Sequence, residues 1–434
     1  MRVEQIGLPE RDESPVGTDN KPITEHDALG WLPHTCFRTG PPRRTGLELE
    51  LLVTTGGPID DHVPAADHAA LLADLQALPL RSRLTVEPGG PIELSGPPAD
   101  DVVGAVDDLD PDLTLVRSRV ARHGLRILGA GLDPRRAPRR MLHEPRYSAM
   151  EAYYDRRGLP GRTMMCSTAS LQVNVEAGAG GDDVPRRWQL LHAVGPSLVA
   201  AFANSPLRLG RPSGWASTRQ AVWRALDARR NHAVRPRPDE PLPEAYARWC
   251  LDAPLMLVRR PQTVHDQDWS APAGMSFRDW VRHGERAVPG RAAPTLDDLV
   301  YHQSTLFPPV RARGHLEVRY LDAQPGDSWQ VPAAVVTALV QDPGVGDLAL
   351  DACRATGTLW REAARSGVHH PDLRASATRV LALAAEALRA HERTAGLAEQ
   401  VEEFLVRYPL RGRHPGDDLL DAFYGEALVE AGPR

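Results

Sequence analysis

Lysine is nearly absent from this chain: of its 51 basic residues only Lys21 is lysine, and the other 50 are arginine. GC-rich coding accounts for such a bias, yet it has a chemical consequence. Any fixed cation that handles a phosphoryl group here is an arginine or a metal ion, because Lys21 lies in a polar, proline-bearing leader. No GxxxxGK[ST] loop exists, which excludes a P-loop enzyme. No GxGxxG follows a strand pattern, so a Rossmann reading has no support. Cysteine is scarce as well. Cys36, Cys166, Cys250 and Cys353 are scattered without CxxC spacing, which fits reduced thiols better than a disulfide scaffold or a zinc site. Apolar runs stop well short of the roughly 20 residues of a membrane span. The first residues carry acids and prolines where a secretory signal needs a basic and then an apolar stretch, so a cytoplasmic protein is expected. A formal charge of −6 gives no global pull toward nucleic acid, and neither nucleic acid nor membrane is an expected partner.

What is present is an ordinary globular composition, 42% apolar and 25% charged over 434 residues. Residues 1–24 read as a flexible tail. Thr45–Val53 alternates, with Leu47, Leu49 and Leu51 on one face and Glu48 and Glu50 on the other. Leu84–Val86 runs as a strand into the turn Glu87-Pro88-Gly89-Gly90, followed by Pro91–Ser95. Leu125–Leu132, Met164–Glu176 and Gly314–Leu321 also read as strands. Helices are expected over 65–78, 99–123, 144–157, 183–203, 216–230 and 295–305. Residues 331–434 are alanine- and leucine-rich helix, expected as a C-terminal region packed on the region 25–330. Several two-period strands with flanking helices argue for an α+β fold over a doubly wound sheet.

Three strands carry polar pairs at i, i+2: Glu48/Glu50, Gln172/Asn174 and Glu317/Arg319. This spacing puts both members on one sheet face while the residues between them are apolar. A polar face in water is the ordinary explanation for any one pair. Together with Glu87 and Glu93, however, five carboxylates come from three segments. Carboxylates brought together raise one another's pKa unless a cation neutralises them. Oxygen-only ligands favour Mg²⁺, with Mn²⁺ as the alternative, over zinc. Such ions on a concave sheet would make a phosphate-handling site.

The stretch Leu84–Gly96, with Glu87-Pro88-Gly89-Gly90 and Glu93-Leu94-Ser95-Gly96, resembles a motif of the plant-type glutamate–cysteine ligase family. Gly46-Leu47-Glu48-Leu49-Glu50 is similar to that family's G-x-E-x-E strand. Arg146-Tyr147-Ser148-Ala149-Met150, Met164-Met165 and Gln172-Val173-Asn174 follow in the family's order. So do Ala203–Pro206, Ser217-Thr218-Arg219, Thr305–Arg311 and Leu316–Arg319. These matches span about two thirds of the chain. Thr24–Pro42 and the C-terminal helices resemble the actinobacterial branch associated with ergothioneine biosynthesis.

The resemblance implies a glutamine-synthetase-like catalytic fold, with a curved, mainly antiparallel sheet, flanking helices and a helical C-terminal part. It implies ATP as co-substrate, Mg²⁺, and L-glutamate and L-cysteine joined through γ-glutamyl phosphate. By the matching positions, Glu48, Glu50, Glu87, Glu93, Gln172 and Glu317 would hold metal. Asn174 and Arg319 would meet the nucleotide, with Arg319 and Glu317 at the catalytic centre and Arg319 as the γ-phosphate clamp. Arg219 would hold the α-carboxylate of glutamate, and Arg146 and Tyr147 would line the amino-acid sites. Gln172 departs from relatives that place a histidine there, and an amide oxygen still serves a hard cation. His302 and the four cysteines read as structural, and His369-His370 as a helix C-terminal cap. A ligase acting on another amine, or a non-catalytic relative of the same fold, stays open, as does a monomer or weak homodimer.

Overall fold

A computed structural model describes residues 21–40, 43–55, 62–260 and 268–431, the side chains of 426–431 apart. Nine strands occur in this range: β1 (Thr45–Thr54), β2 (Arg83–Val86), β3 (Ile92–Ser95), β4 (Arg126–Leu128), β5 (Ser170–Glu176), β6 (Leu207–Arg208), β7 (Arg211–Pro212), β8 (Val310–Ala312) and β9 (His315–Asp322). Seven build one sheet in the order β2-β3-β1-β5-β9-β8, with β4 paired to the end of β1. Every pairing is antiparallel. The fold is therefore α+β, as the strand periods predict.

Alternation divides the sheet into two chemical faces. Leu47, Leu49 and Leu51 of β1 and Leu171, Val173 and Val175 of β5 are all buried. Each such side chain contributes about 1.5–3 kcal/mol by leaving water. Val102–Arg122 covers β1, and Gln330–Gln341 covers β5. The first is anchored by the Asp101 side chain, which accepts from Gly104 N at 2.8 Å. The second is apolar almost all round, as a helix enclosed by protein must be. No single helix among the described residues is long and apolar enough to cross a membrane. The one apolar pair, Gln330–Gln341 and Pro343–Ala352, is bent by 108°.

Several element boundaries differ from the sequence expectation. Met164–Ser167 belongs to a helix, Gly161–Ser167, and the strand begins only at Ser170. Met164 N donates to Pro160 O, and the Thr168 hydroxyl closes the turn onto Met164 O at 2.6 Å. β4 covers three of the eight residues expected, with Leu132 making an isolated bridge to Thr168. At the N-terminus, residues 1–20 of the expected tail lie outside the described residues. Pro22 bridges Thr295, and Thr24 forms a capping box with Asp27 on the first helix, Glu25–Cys36, so residues 21–24 are part of the fold.

Candidate active site

The polar face of the sheet collects side chains in cross-strand rows. Register places Glu50 opposite Glu93, and Glu93 opposite Thr85. Glu48 lies opposite Gln172 on one side and Ser95 on the other. Asn174 lies opposite Glu317, and Glu317 opposite Arg311. Six expected site residues, Glu48, Glu50, Glu93, Gln172, Asn174 and Glu317, thus come together from four strands, and Arg319 joins them.

Hydrogen bonds fix the carboxylates. Glu50 accepts from Ser170 N at 2.8 Å and from Gln172 Nε2 at 3.1 Å. Glu48 accepts from Asn174 Nδ2 at 3.0 Å. Glu93 accepts from the Thr85 hydroxyl at 2.9 Å and the Ser95 hydroxyl at 3.3 Å. Glu317 is clamped differently. Arg311 grips it with two parallel bonds, Nε to Oε2 at 2.7 Å and Nη2 to Oε1 at 2.8 Å, and Arg319 also donates to Oε1. Arg319 reaches Gln172 Oε1 at 2.5 Å and lies 5.7 Å from the Phe307 ring centroid.

Electrostatics separate these acids. Burial and the charges of Glu93 and Glu317 push the Glu48 carboxyl up to about 7. Burial and the charges of Glu87 and Glu93 push Glu50 up to about 7 as well. Glu87 is therefore brought to the same site from the turn before β3. That turn is fixed by contact: Gly89 packs so closely on the helix Gly161–Ser167 that a Cβ there would stand 2.1 Å from Cys166 O. Burial also pushes Glu317 upward, but Arg311 and Arg319 outweigh it and hold the carboxylate well below its usual range.

The other expected residues are placed less directly. Arg219 is buried, donates from Nη2 to Arg319 O at 2.8 Å, and lies 3.7 Å from Asp322. Its Nε and Nη1 are buried without a hydrogen-bond partner. Arg146 bonds Ser304 Oγ and O at 3.0 and 3.1 Å and lies over Tyr301, so its guanidinium fastens a helix end. Tyr147 is half-buried against the cluster of Met150, Tyr153 and Met164. His302 Nε2 donates to Cys250 O and packs on Phe277, and burial pushes it down to about 3, in keeping with a structural role. The four cysteines are buried thiols. His369-His370 ends the 3-10 helix Gly367–His369, with His370 as its C-cap and as the N-cap of the next helix, and His369 also meets Asp417.

Sequence reasoning assigned no role to two residues. Arg311 lay inside a quoted motif, but only the β8–β9 register shows that it meets Glu317. Asp322 ends β9 and accepts from Asn204 N, Ser205 Oγ and Ser217 Oγ, at 2.8–2.9 Å, tying two motif segments to the sheet. Beside Arg319 opens a cavity of about 510 Å³, lined among others by Trp223, Arg224, Asn231, Phe307 and Trp360.

Residues 44–431 match the model of glutamate-cysteine ligase family 2 (GCS2). The chain belongs to this family. It is 38% identical over 434 residues to the glutamate–cysteine ligase EgtA of Mycolicibacterium smegmatis, an alignment covering 98% of each chain. It is 32% identical over 248 residues to the chloroplastic glutamate–cysteine ligase of Medicago truncatula, covering 56% of this chain and 47% of that one. A crystal structure of a glutamate–cysteine ligase from Francisella tularensis in complex with AMP superposes with a TM-score of 0.51 at 13% identity. That superposition covers 88% of this chain and 85% of the other, and establishes the shared fold of this family member.

Proposed function

We propose that this member of glutamate-cysteine ligase family 2 joins the γ-carboxylate of L-glutamate to the amine of L-cysteine, converting ATP to ADP and phosphate. The product is γ-glutamylcysteine, and the likeness to EgtA supports its use in ergothioneine biosynthesis. The observation that carries the reading is the sheet face on which Glu48, Glu50, Glu93 and Glu317 converge with Arg311 and Arg319. The AMP held by the Francisella enzyme supports a nucleotide site in this fold.

Mg²⁺ fits the residues present. The donors are oxygens, Glu48 and Glu50 are raised toward neutrality by burial and by the charges of Glu87, Glu93 and Glu317, and Asn174 Oδ1 is buried with no hydrogen-bond partner. Glu48, Glu50 and Glu93 would hold it, with Glu87 beside them. Gln172 and Glu317 have less to offer, since Arg319 already occupies Gln172 Oε1 and two arginines share Glu317 Oε1. When bound, the ion supplies charge compensation for the ATP phosphates and the transferring phosphoryl group.

The rest falls to the protein. A γ-carboxylate oxygen of glutamate attacks the γ-phosphorus of ATP, the bond to the β-phosphate oxygen breaks, and ADP leaves with that electron pair. The acyl phosphate then takes the cysteine nitrogen at its carbonyl carbon, and phosphate departs as the nitrogen loses a proton. Two anions approach in the first step. Arg319, oriented by Glu317 and Gln172 toward the cavity, is suited to screen them and to follow the charge onto the transferring group. The Nε of Arg219, and its Nη1 beside Asp322, make no hydrogen bond and are donors suited to the α-carboxylate of glutamate. Arg146 and Tyr147 would shape the rim through the Ser304 and Met150 contacts.

Phosphate release from ATP with Mg²⁺ and L-glutamate, measured with each of the twenty amino acids, tests the reading. Release that requires glutamate and cysteine together, with γ-glutamylcysteine identified by mass, is expected. Release with a different amine would replace the nucleophile and keep the phosphoryl chemistry. No release with any pair would overturn the assignment as a ligase.

A further inference from the structure

A second group of ligating side chains sits among the C-terminal helices. Gly367–His369 is a single 3-10 turn, and the helix Pro415–Ala431 begins immediately after His414. A nitrogen from each of His369 and His414 and a carboxylate oxygen of Asp417 all lie within 4.8 Å of one another. His369 Nε2 is 3.2 Å from Asp417 Oδ2, and His414 Nδ1 is 3.7 Å from the same oxygen. Donors bound tetrahedrally at zinc distances stand about 3.4 Å apart, so the two separations to Asp417 lie within a few tenths of an ångström of that spacing.

The buried member of the group is what points to a ligand. The His414 side chain is 2% exposed, and neither of its ring nitrogens has a hydrogen-bond partner. Buried polar atoms are nearly always satisfied, and an imidazole with both nitrogens idle pays the full cost of desolvation. The opposing carboxylate is held in place, because Asp417 Oδ2 accepts from His414 N at 2.9 Å. The nearby charge of Arg413 opposes a cation, and it is offset by Asp418 and Asp421, 2.9 and 2.6 Å away. The His369 side chain is 53% exposed, which leaves a way in from solvent.

We propose that His369, His414 and Asp417 form a binding site for a divalent transition metal of the zinc class. Two imidazoles and one carboxylate suit zinc, cobalt or nickel, whereas the all-oxygen set on the sheet suits magnesium. The site is a staple. It joins the 3-10 turn to the start of the last helix, where Gly416 N donates to Ala203 O at 2.9 Å. Ala203 directly precedes Asn204 and Ser205, which hold Asp322 at the end of β9. The metal would therefore secure the C-terminal helices to the strand that carries Glu317 and Arg319.

The test is a Co²⁺ titration of the full-length, tag-free, chelator-stripped protein in excess Mg²⁺, read by visible absorption and then competed with Zn²⁺. Wild type is expected to show the intense d–d band of a four-coordinate nitrogen-ligated ion, quenched by one equivalent of Zn²⁺. His369→Asn changes an exposed side chain and should lose the band and at least tenfold in Zn²⁺ affinity, with far-UV circular dichroism unchanged. Asp417→Asn should do the same. Absence of the band in wild type, or its persistence in His369→Asn, would overturn the proposal.

Discussion

The two ends of one polar sheet face treat buried negative charge in different ways. At the β8–β9 end Glu317 is gripped by Arg311 and Arg319 and stays ionised far below neutrality. At the β1–β3 end the donors to Glu48 and Glu50 are neutral, a backbone amide and two side-chain amides, and both acids are raised to about 7. The first end is compensated by the protein itself and belongs to the fold. The second holds charge that neutral donors stabilise only in part, which is why the proposed magnesium is assigned to it. Arginine supplies the fixed positive charge, and the end where arginine does not grip the acids is the one suited to a metal.

Two isosteric substitutions separate these ends most sharply. Glu317→Gln removes the counter-charge of the buried Arg311 and the half-buried Arg319 and should cost about 3–5 kcal/mol of stability. Glu50→Gln removes a charge from a crowded acidic site, so the metal-free protein should melt at the wild-type temperature or above it. Both should lower phosphate release by about a thousandfold, the scale of losing a group that stabilises transition-state charge. Thermal melts in chelator, paired with the release assay, decide the matter. Equal loss of stability in both variants would erase the distinction between the ends. Arg319→Lys asks whether the fork geometry matters in addition to charge. Lysine cannot keep the contacts to Glu317 and Gln172 together with a bidentate grip on phosphoryl oxygens, so a fall in kcat of about a hundredfold is expected with KM for ATP less affected. Wild-type turnover in Arg319→Lys would make Arg319 a mere counter-ion.

Much of this face was legible because a strand's side-chain period is fixed. Glu48/Glu50, Gln172/Asn174 and Glu317/Arg319 had to share faces once their segments were strands. What could not be read was register. Nothing local distinguishes Arg311 from 49 other arginines, and its partner is set by how β8 lies against β9. The helix Gly161–Ser167 was hidden for a related reason. Met164 and Met165 suit a strand as well as a helix, and the Pro160 and Thr168 contacts that close the turn are tertiary detail. His369 read only as part of a helix end because its other partner, Asp417, lies 48 residues away. Arg146 was placed in the pocket by likeness alone, and the structure engages its guanidinium with Ser304.

The acidic end also depends on the turn that delivers Glu87 and Glu93. Gly89→Ala would drive a Cβ into the Cys166 carbonyl, a backbone atom that cannot rotate away. The turn must then lift, at a cost of about 1–3 kcal/mol. Because β3 follows immediately, Mg²⁺ affinity should fall along with stability, while the Glu317 end keeps its arginines. Calorimetric Mg²⁺ titration of Gly89→Ala checks this, and unchanged affinity in a destabilised protein would show that the turn positions no ligand.

The smallest effect is the most direct test of the contrast. Glu48 and Glu50 are raised to about 7 in the folded protein, against roughly 4.3 for an unfolded glutamate. A raised folded pKa means that the native state holds its protons more tightly. Their stabilising effect is fully present below about pH 4.3 and is lost as pH rises through 7, by at most about 1.4 kcal/mol per pH unit for each group. Metal-free protein should therefore lose stability from pH 6 to pH 8. Magnesium binds the ionised pair, so its stabilising shift in Tm should be small at pH 6 and larger at pH 8. Glu50→Gln should flatten both trends, because it removes one titrating group and relieves its partners. A magnesium shift that is the same at both pH values would mean that these acids are already ionised without metal. The two ends of the sheet would then differ in sequence but not in electrostatics.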